Sequence, residues 1–325
     1  MVILQKDVPL INYSNYKIGG PARLFADVET TEELREILKQ ASAFAKASAD
    51  RQDDIFILGG GTNILIDDKG FDGLVIHNKI QGINIVDDGL EVGSGVEISD
   101  LLAFCVENSL SGFEWAGGLP GTIGGAIRGN AGAFKGEIKD NVLQVQSLNL
   151  KTALNAAAAL NEKERNNEEC NFSYRNSIFK SGEGANEFIT HVVLRLMPGE
   201  REEIEEKIKQ KIDYRINRHP MDYPNIGSTF KNIPLNLLSA KLQKEFAGFV
   251  KIDPFPVVPT TKLLALAGLK GKRVGDAMIS DKHPNFIVNL GAAKSDDVKS
   301  LIEIAKEAVK EKYGIILEEE IQHLG

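Results

Sequence analysis

Apolar and polar positions along this chain switch between a helical period and a strand period, and the switches mark its elements. Leu34, Ile37, Leu38 and Ala41 lie on one helical face, and Thr30 with Glu33 has capping-box spacing ahead of them. The polar run 46–54 ends that helix. Ile55-Phe56-Ile57-Leu58 then reads as a buried strand running straight into Gly59. A further strand is predicted at 74–76, and a hairpin over 83–92 turning at Asp88-Gly89, a pair suited to positive φ. Ser99 is placed to cap a helix bearing Leu101, Leu102, Cys105 and Val106. Strands are expected at 142–150 and 188–196, separated by an Ala- and Asn-rich polar stretch, 153–167, that reads as a surface insertion. A charged helix covers 200–218, and Pro198-Gly199 before it suits a domain junction. The end of the chain reads β-α-β. A strand at 286–290 precedes a helix capped by Ser295 and stopped by Gly314, and a second strand follows at 315–317. A right-handed crossover would make those two strands parallel.

Length adds that two or three domains are expected, because 325 residues exceed what one core usually supports. A net charge of -8 argues against a general nucleic-acid binder, which would carry a basic face. No stretch reaches the roughly 18 apolar residues of a membrane span, and the N-terminus has no basic segment followed by a long apolar run. Cys105 and Cys170 form no CxxC and no disulfide framework, which fits a reducing compartment, so a soluble cytoplasmic protein is expected. Cys105 and Trp115 read as core residues.

Several chemistries drop out by motif. GxGxxG, GxxxxGK[ST] and GxSxG are missing, and the five histidines are dispersed without HExxH, so no metal centre is expected. Two glycine-rich loops remain. Gly59-Gly60-Gly61-Thr62-Asn63-Ile64 follows a strand, and Pro120-Gly121-Thr122-Ile123-Gly124-Gly125 is succeeded by Asn130-Ala131-Gly132. Glycine lets backbone come within hydrogen-bond range of a diphosphate, because no Cβ intrudes. One such loop is ordinarily a tight turn. Two of them so close together favour a large phosphorylated cofactor.

The surrounding residues go further. Asn15 to Ala22, both glycine loops, Phe172-Ser173-Tyr174-Arg175-Asn176-Ser177, Gly227-Ser228-Thr229-Phe230-Lys231-Asn232, Ala267-Gly268-Leu269-Lys270-Gly271, His283 to Asn289 and Glu320 to Gly325 come in one order. Together this set resembles the UDP-N-acetylenolpyruvoylglucosamine reductase family over residues 13–325, and the ordered set is far more specific than any one motif. The resemblance implies an α+β protein. Residues 1–199 would form an FAD-binding domain of p-cresol methylhydroxylase type, in lobes of about 1–72 and 73–199, and residues 200–325 a substrate-binding domain.

It also implies a reaction. NADPH reduces FAD, hydride passes to C3 of the enolpyruvyl group of a UDP-N-acetylglucosamine ether, and a proton reaches C2. Arg175 matches the arginine that stabilises the enolate, Ser228 the proton donor, and Glu320 the carboxylate that completes the site. Without the resemblance, Arg175 would read as a surface ion-pair partner, Ser228 as a turn residue and Glu320 as part of a solvated acidic edge. Glu318 lies on the same strand face as Glu320 and stays open as an alternative. Arg218 stands where the family places a base for the UDP diphosphate, and Asn232 where it places an amide. Lys231 is spaced to assist Ser228. Tyr174 is open between a substrate or flavin contact and a core position. Departures lie downstream: Ile233 replaces the usual proline, and 233–260 is longer than the usual connection. The apolar segment 255–259 is expected to pack on the C-terminal domain. No tyrosine-bearing loop is present, which implies the shorter subtype. A monomer is expected, with the sugar nucleotide and NADPH as partners and neither nucleic acid nor membrane. Another FAD oxidoreductase of the same fold, or a non-catalytic UDP-sugar binder, would share part of this pattern.

Overall fold

The computed structural model describes residues 2–48, 54–150 and 162–325, with 42–48 described in backbone only. The chain divides into two compact units. The first holds Met1–Val8, Ala22–Gly60 and Asp72–Ile212; the second holds Pro9–Pro21, Gly61–Phe71 and Asp213–Gly325.

The first unit is built on two sheets. One has the order Gln5–Pro9, Pro21–Val28, Phe71–Asn78, Ile55–Leu58, with the last two strands parallel. Helix Thr31–Ser48 supplies Leu34, Ile37 and Leu38 to its core against Leu24, Leu74 and Ile76. Thr30 Oγ1 accepts from the Glu33 N–H at 3.1 Å, so the capping residue is the expected one. The other sheet is five-stranded and antiparallel, in the order Glu162–Asn166, Val142–Asn149, Glu187–Leu194, Gly89–Gly93, Ile83–Val86. Helices Ile98–Glu107 and Ile123–Gly129 cover it, with Trp115 and the free, buried Cys105 in the core between. Helix Arg201–Arg218 adds Ile204 and Ile208 to that same core, so its first turns belong with the first unit.

Four expectations need correction here, and a fifth, the Ser295 cap, in the second unit. Gly89 pairs with Val86, leaving Asp87-Asp88 as the turn, and Gly89 does not have positive φ. Its lack of a side chain serves close packing instead, because a Cβ there would strike the Leu194 carbonyl. Ser99 lies inside helix Ile98–Glu107; the residue before the helix is Glu97, which bridges to Thr122 in extended conformation. The insertion is only in part an insertion. Residues 153–161 lie outside the described residues, but Glu162–Asn166 is an edge strand whose Arg165 is buried in an ion pair with Glu187. Finally, 315–317 forms no strand.

The second unit explains that last difference. Ile315 and Leu317 are buried while Ile316 is 79% exposed, so the segment is satisfied by alternation against the core without a neighbouring ladder. The strand that does form is Gln322–Leu324, parallel to Ile64–Ile66. Helix Ser295–Tyr313 presents Val298, Leu301, Ile302, Ala305 and Val309 to the same core and ends at Gly314, φ 69°. Ser295 is its first residue, not its cap; its hydroxyl donates to Asp68 at 2.9 Å. Pro256–Val258 is the middle of a three-stranded sheet, with Val257 and Val258 buried. Among the described residues, no helix is long and apolar enough to cross a membrane.

Candidate active site

In the first unit the two glycine loops lie against each other. A Cβ on Gly59 would come 2.6 Å from Thr122 Oγ1, and one on Gly60 would come 2.9 Å from the Gly121 Cα. A side chain at either position would displace a neighbour, so both loops keep backbone at this surface, with the Thr122 hydroxyl beside it. Thr122 caps the short helix Ile123–Gly129 by accepting from the Gly125 N–H at 3.4 Å. Gly124 packs on Ser94, to whose carbonyl it donates at 2.8 Å. Pro120 precedes Gly121 at the surface. Glu97 was not singled out from sequence. Its carboxyl accepts from the Gly121 N–H, yet loss of solvent and the nearby Asp100 raise its pKa above the ordinary value.

Asn130 closes the helix in left-handed conformation, φ 41°. Its amide is fully used inside the unit, donating to Glu137 Oε1 at 3.0 Å and to the Ser173 carbonyl at 2.9 Å. That second bond ties the glycine loop to the turn carrying Tyr174 and Arg175. Ser173 and Asn176 close this turn by mutual backbone bonds of 3.0 Å, and Arg175 sits within it at φ 56°, a conformation costly for a non-glycine residue. Arg175 Nη2 donates to the Gly132 carbonyl at 2.7 Å, and its guanidinium lies 5.1 Å from the Tyr174 ring. Ala131 meanwhile spans the loop, donating to Ala126 and accepting from Ile138. Thus Gly59, Gly60, Gly121, Thr122, Asn130, Gly132, Tyr174 and Arg175 belong to one backbone-rich region of the first unit.

The rest of the first loop belongs to the second unit. Gly61 has φ 62°, and a Cβ there would strike the Tyr13 carbonyl. Asn63 donates to the Glu320 carbonyl at 3.2 Å and accepts from the Gln322 N–H at 3.0 Å, while Ile64 begins the strand paired with Gln322–Leu324. Thr62 lies between them, half-buried.

The segments that carry Ser228 and Glu320 pair in this unit. The Glu320 N–H donates to the Thr229 carbonyl at 2.8 Å and the Lys231 N–H to the Glu318 carbonyl at 2.9 Å, around a bridge between Phe230 and Glu319. The three adjacent glutamates have different surroundings. Glu318 is exposed and pairs with Lys231 Nζ at 2.8 Å. Glu319 is held by Lys306 at 2.7 Å and His323 at 2.6 Å. Glu320, half-buried like Glu319, accepts at its carbonyl from Asn63 Nδ2. Lys231 therefore points its charge at Glu318. Asn232 Oδ1 accepts from the Thr260 N–H at 3.1 Å. Arg218 is exposed at the end of its helix, 5.7 Å from the Tyr214 ring.

A glycine-rich, backbone-exposing surface between two loops suits a dinucleotide whose diphosphate is held by backbone N–H groups. A family model described as an FAD binding domain matches residues 22–152, the stretch containing both loops. The class is thereby defined: an FAD-binding oxidoreductase of α+β fold. A second family model, described as the C-terminal domain of UDP-N-acetylenolpyruvoylglucosamine reductase, matches residues 219–324. A reductase of that name from Caldicellulosiruptor bescii is 37% identical over 323 residues, covering 98% of this chain and 90% of the relative. Another, from Caldanaerobacter subterraneus subsp. tengcongensis, is 35% identical over 98% of this chain and 92% of its own length. The crystal structure of the Thermus caldophilus UDP-N-acetylenolpyruvylglucosamine reductase, MurB, superposes with a TM-score of 0.73 at 29% identity, covering all of both chains. The chain belongs to the UDP-N-acetylenolpyruvoylglucosamine reductase family.

Proposed function

We propose that this chain reduces UDP-N-acetylglucosamine enolpyruvate to UDP-N-acetylmuramate with NADPH, as a cytoplasmic monomer in peptidoglycan precursor synthesis. Residues 1–199 hold the cofactor in this reading, and residues 200–325 the sugar nucleotide. Bound FAD would supply the hydride chemistry between NADPH and C3 of the enolpyruvyl group.

What remains falls to the protein. Charge develops on the substrate as an enolate, and it needs a cation fixed beforehand. Arg175 has that role, because a guanidinium stays charged and offers a planar fork of donors. The carrying observation is its turn. A left-handed residue is held against the Gly132 carbonyl, so the protein's own backbone fixes the cation beside the glycine loop. Ser228 delivers the proton to C2. A free serine is a weak acid, so it depends on its surroundings, and Glu320 lies on the segment that pairs with the one carrying Ser228. Arg218, Lys231, Asn232 and Tyr174 are assigned to the sugar nucleotide, and Gly59 to Ile64, Pro120 to Gly125 and Asn130 to Gly132 to the cofactor.

Ser228→Ala separates the two halves of the reaction. Reduction of bound flavin by NADPH is expected to keep its rate, while reoxidation by the enolpyruvyl sugar slows by about 100- to 10,000-fold, the span of general acid catalysis. Both halves staying fast would remove Ser228 from the role.

A further inference from the structure

The segment that carries Ser228 has an unusual second edge. On one side it pairs with residues 318–320 through backbone bonds. On the other, a single side chain takes the place of a strand. Asn285 Oδ1 accepts from the Phe230 N–H at 3.0 Å, and its Nδ2 donates to the Phe230 carbonyl at 2.8 Å. The Asn285 carbonyl also accepts from the Thr229 N–H at 2.7 Å. Three bonds from one residue thus fix the two positions that follow Ser228. Asn285 is only 3% exposed, so water does not replace these bonds readily. Upstream, Gly227 has φ 83° and donates to Asn225 Oδ1 at 3.1 Å, which fixes the approach to Ser228 from the other direction.

We propose that Asn285 is a positioning residue for the proton donor, one that sets where the Ser228 hydroxyl points and so acts on the protonation half of the reaction alone. This rests on Ser228 being the donor. An amide is required because the Phe230 backbone presents a donor and an acceptor side by side, and only a group with both answers them. Displacement of a reacting group by about 1 Å is enough to cost about 100-fold in rate.

Asn285→Asp is the informative variant, since it changes shape least. As a carboxylate the new side chain can still accept from Phe230 N–H, but its second oxygen faces the Phe230 carbonyl. Two acceptors then oppose each other in a buried place, which favours the neutral acid and raises the carboxyl pKa. Once protonated, the acid donates to that carbonyl and restores the amide's pattern. At neutral pH, sugar-dependent flavin reoxidation is expected to slow by about 100-fold, and lowering the pH should recover it. NADPH-driven flavin reduction and the amount of bound flavin should match the parent protein at every pH.

Asn285→Ser, which keeps one hydrogen-bonding group and loses the two-point match, should show the same half-reaction selectivity without the acid recovery. Equal slowing of both halves, or loss of flavin from both variants, would make Asn285 a structural residue and overturn the proposal. So would full speed in Asn285→Asp while Ser228→Ala is slow. If Ser228→Ala is itself fast, the donor assignment fails first and the positioning role falls with it.

Discussion

Glu318, Glu319 and Glu320 are neighbours in sequence, yet each is recruited by a different partner. For Glu319 this leaves a measurable mark. The hydrogen bond from His323, reinforced by Lys306 and opposed by burial, holds its carboxyl down at about 2, against an ordinary 4.5. A carboxylate depressed in the folded state contributes stability above its unfolded pKa and loses it as pH falls toward the folded value. Glu319→Gln should therefore lower the Tm just above pH 4.5. The gap to the parent protein should narrow below pH 4.5 and close near pH 2. A gap that does not change with pH would mean that Glu319 acts through packing rather than charge. At this scale the sequence was legible wherever the backbone itself set the requirement. Gly59 and Gly60 read as loop glycines because a larger residue would displace a neighbour there, and Gly121 because its φ is 109°. Asn285 was not legible, because a side chain bonding to backbone 55 positions away leaves no period or spacing to read. Ser99 and Ser295 misled for a related reason: a serine at a helix start satisfies the capping pattern whether or not its hydroxyl is used for it.

Elements declared themselves when burial was one-sided. The long helices and the strands of the five-stranded sheet follow the apolar pattern closely, since one face meets a core and the other meets solvent. Strand Glu162–Asn166 escaped because its inward residue is charged. Arg165 is buried and Nη2 meets Glu187 Oε1 at 2.8 Å, with Nη1 on Glu187 Oε2; the Glu187 side chain is fully covered, and Lys163 adds a contact at 3.1 Å. A buried carboxylate that loses its guanidinium is costly, because desolvation then has no matching gain. Arg165→Met should destabilise the protein by about 3 kcal/mol in urea unfolding. Adding Glu187→Leu to that variant should restore part of the loss. Additive losses in the double variant would show that the pair is not coupled. The segment 315–317 misled in the opposite direction, since alternating burial is necessary for a strand but does not supply a neighbour to bond with.

Across the whole molecule, membership of the reductase family was legible in the order of the motifs, while the interleaving of chain segments between the two units was not. Residues 9–21 and 61–71 cluster with the C-terminal part, and helix Arg201–Arg218 begins in one unit and ends in the other. Such interleaving follows from long-range pairing such as Ile64–Ile66 with Gln322–Leu324, which no local pattern announces. One anaerobic titration tests whether this one protein couples NADPH to an enolpyruvyl sugar through a bound flavin. The purified protein should be yellow, bleach on addition of NADPH, and regain its colour in proportion to added UDP-N-acetylglucosamine enolpyruvate, but not with UDP-N-acetylglucosamine. A colourless protein, or a reduced flavin that the enolpyruvyl sugar leaves bleached, would contradict it.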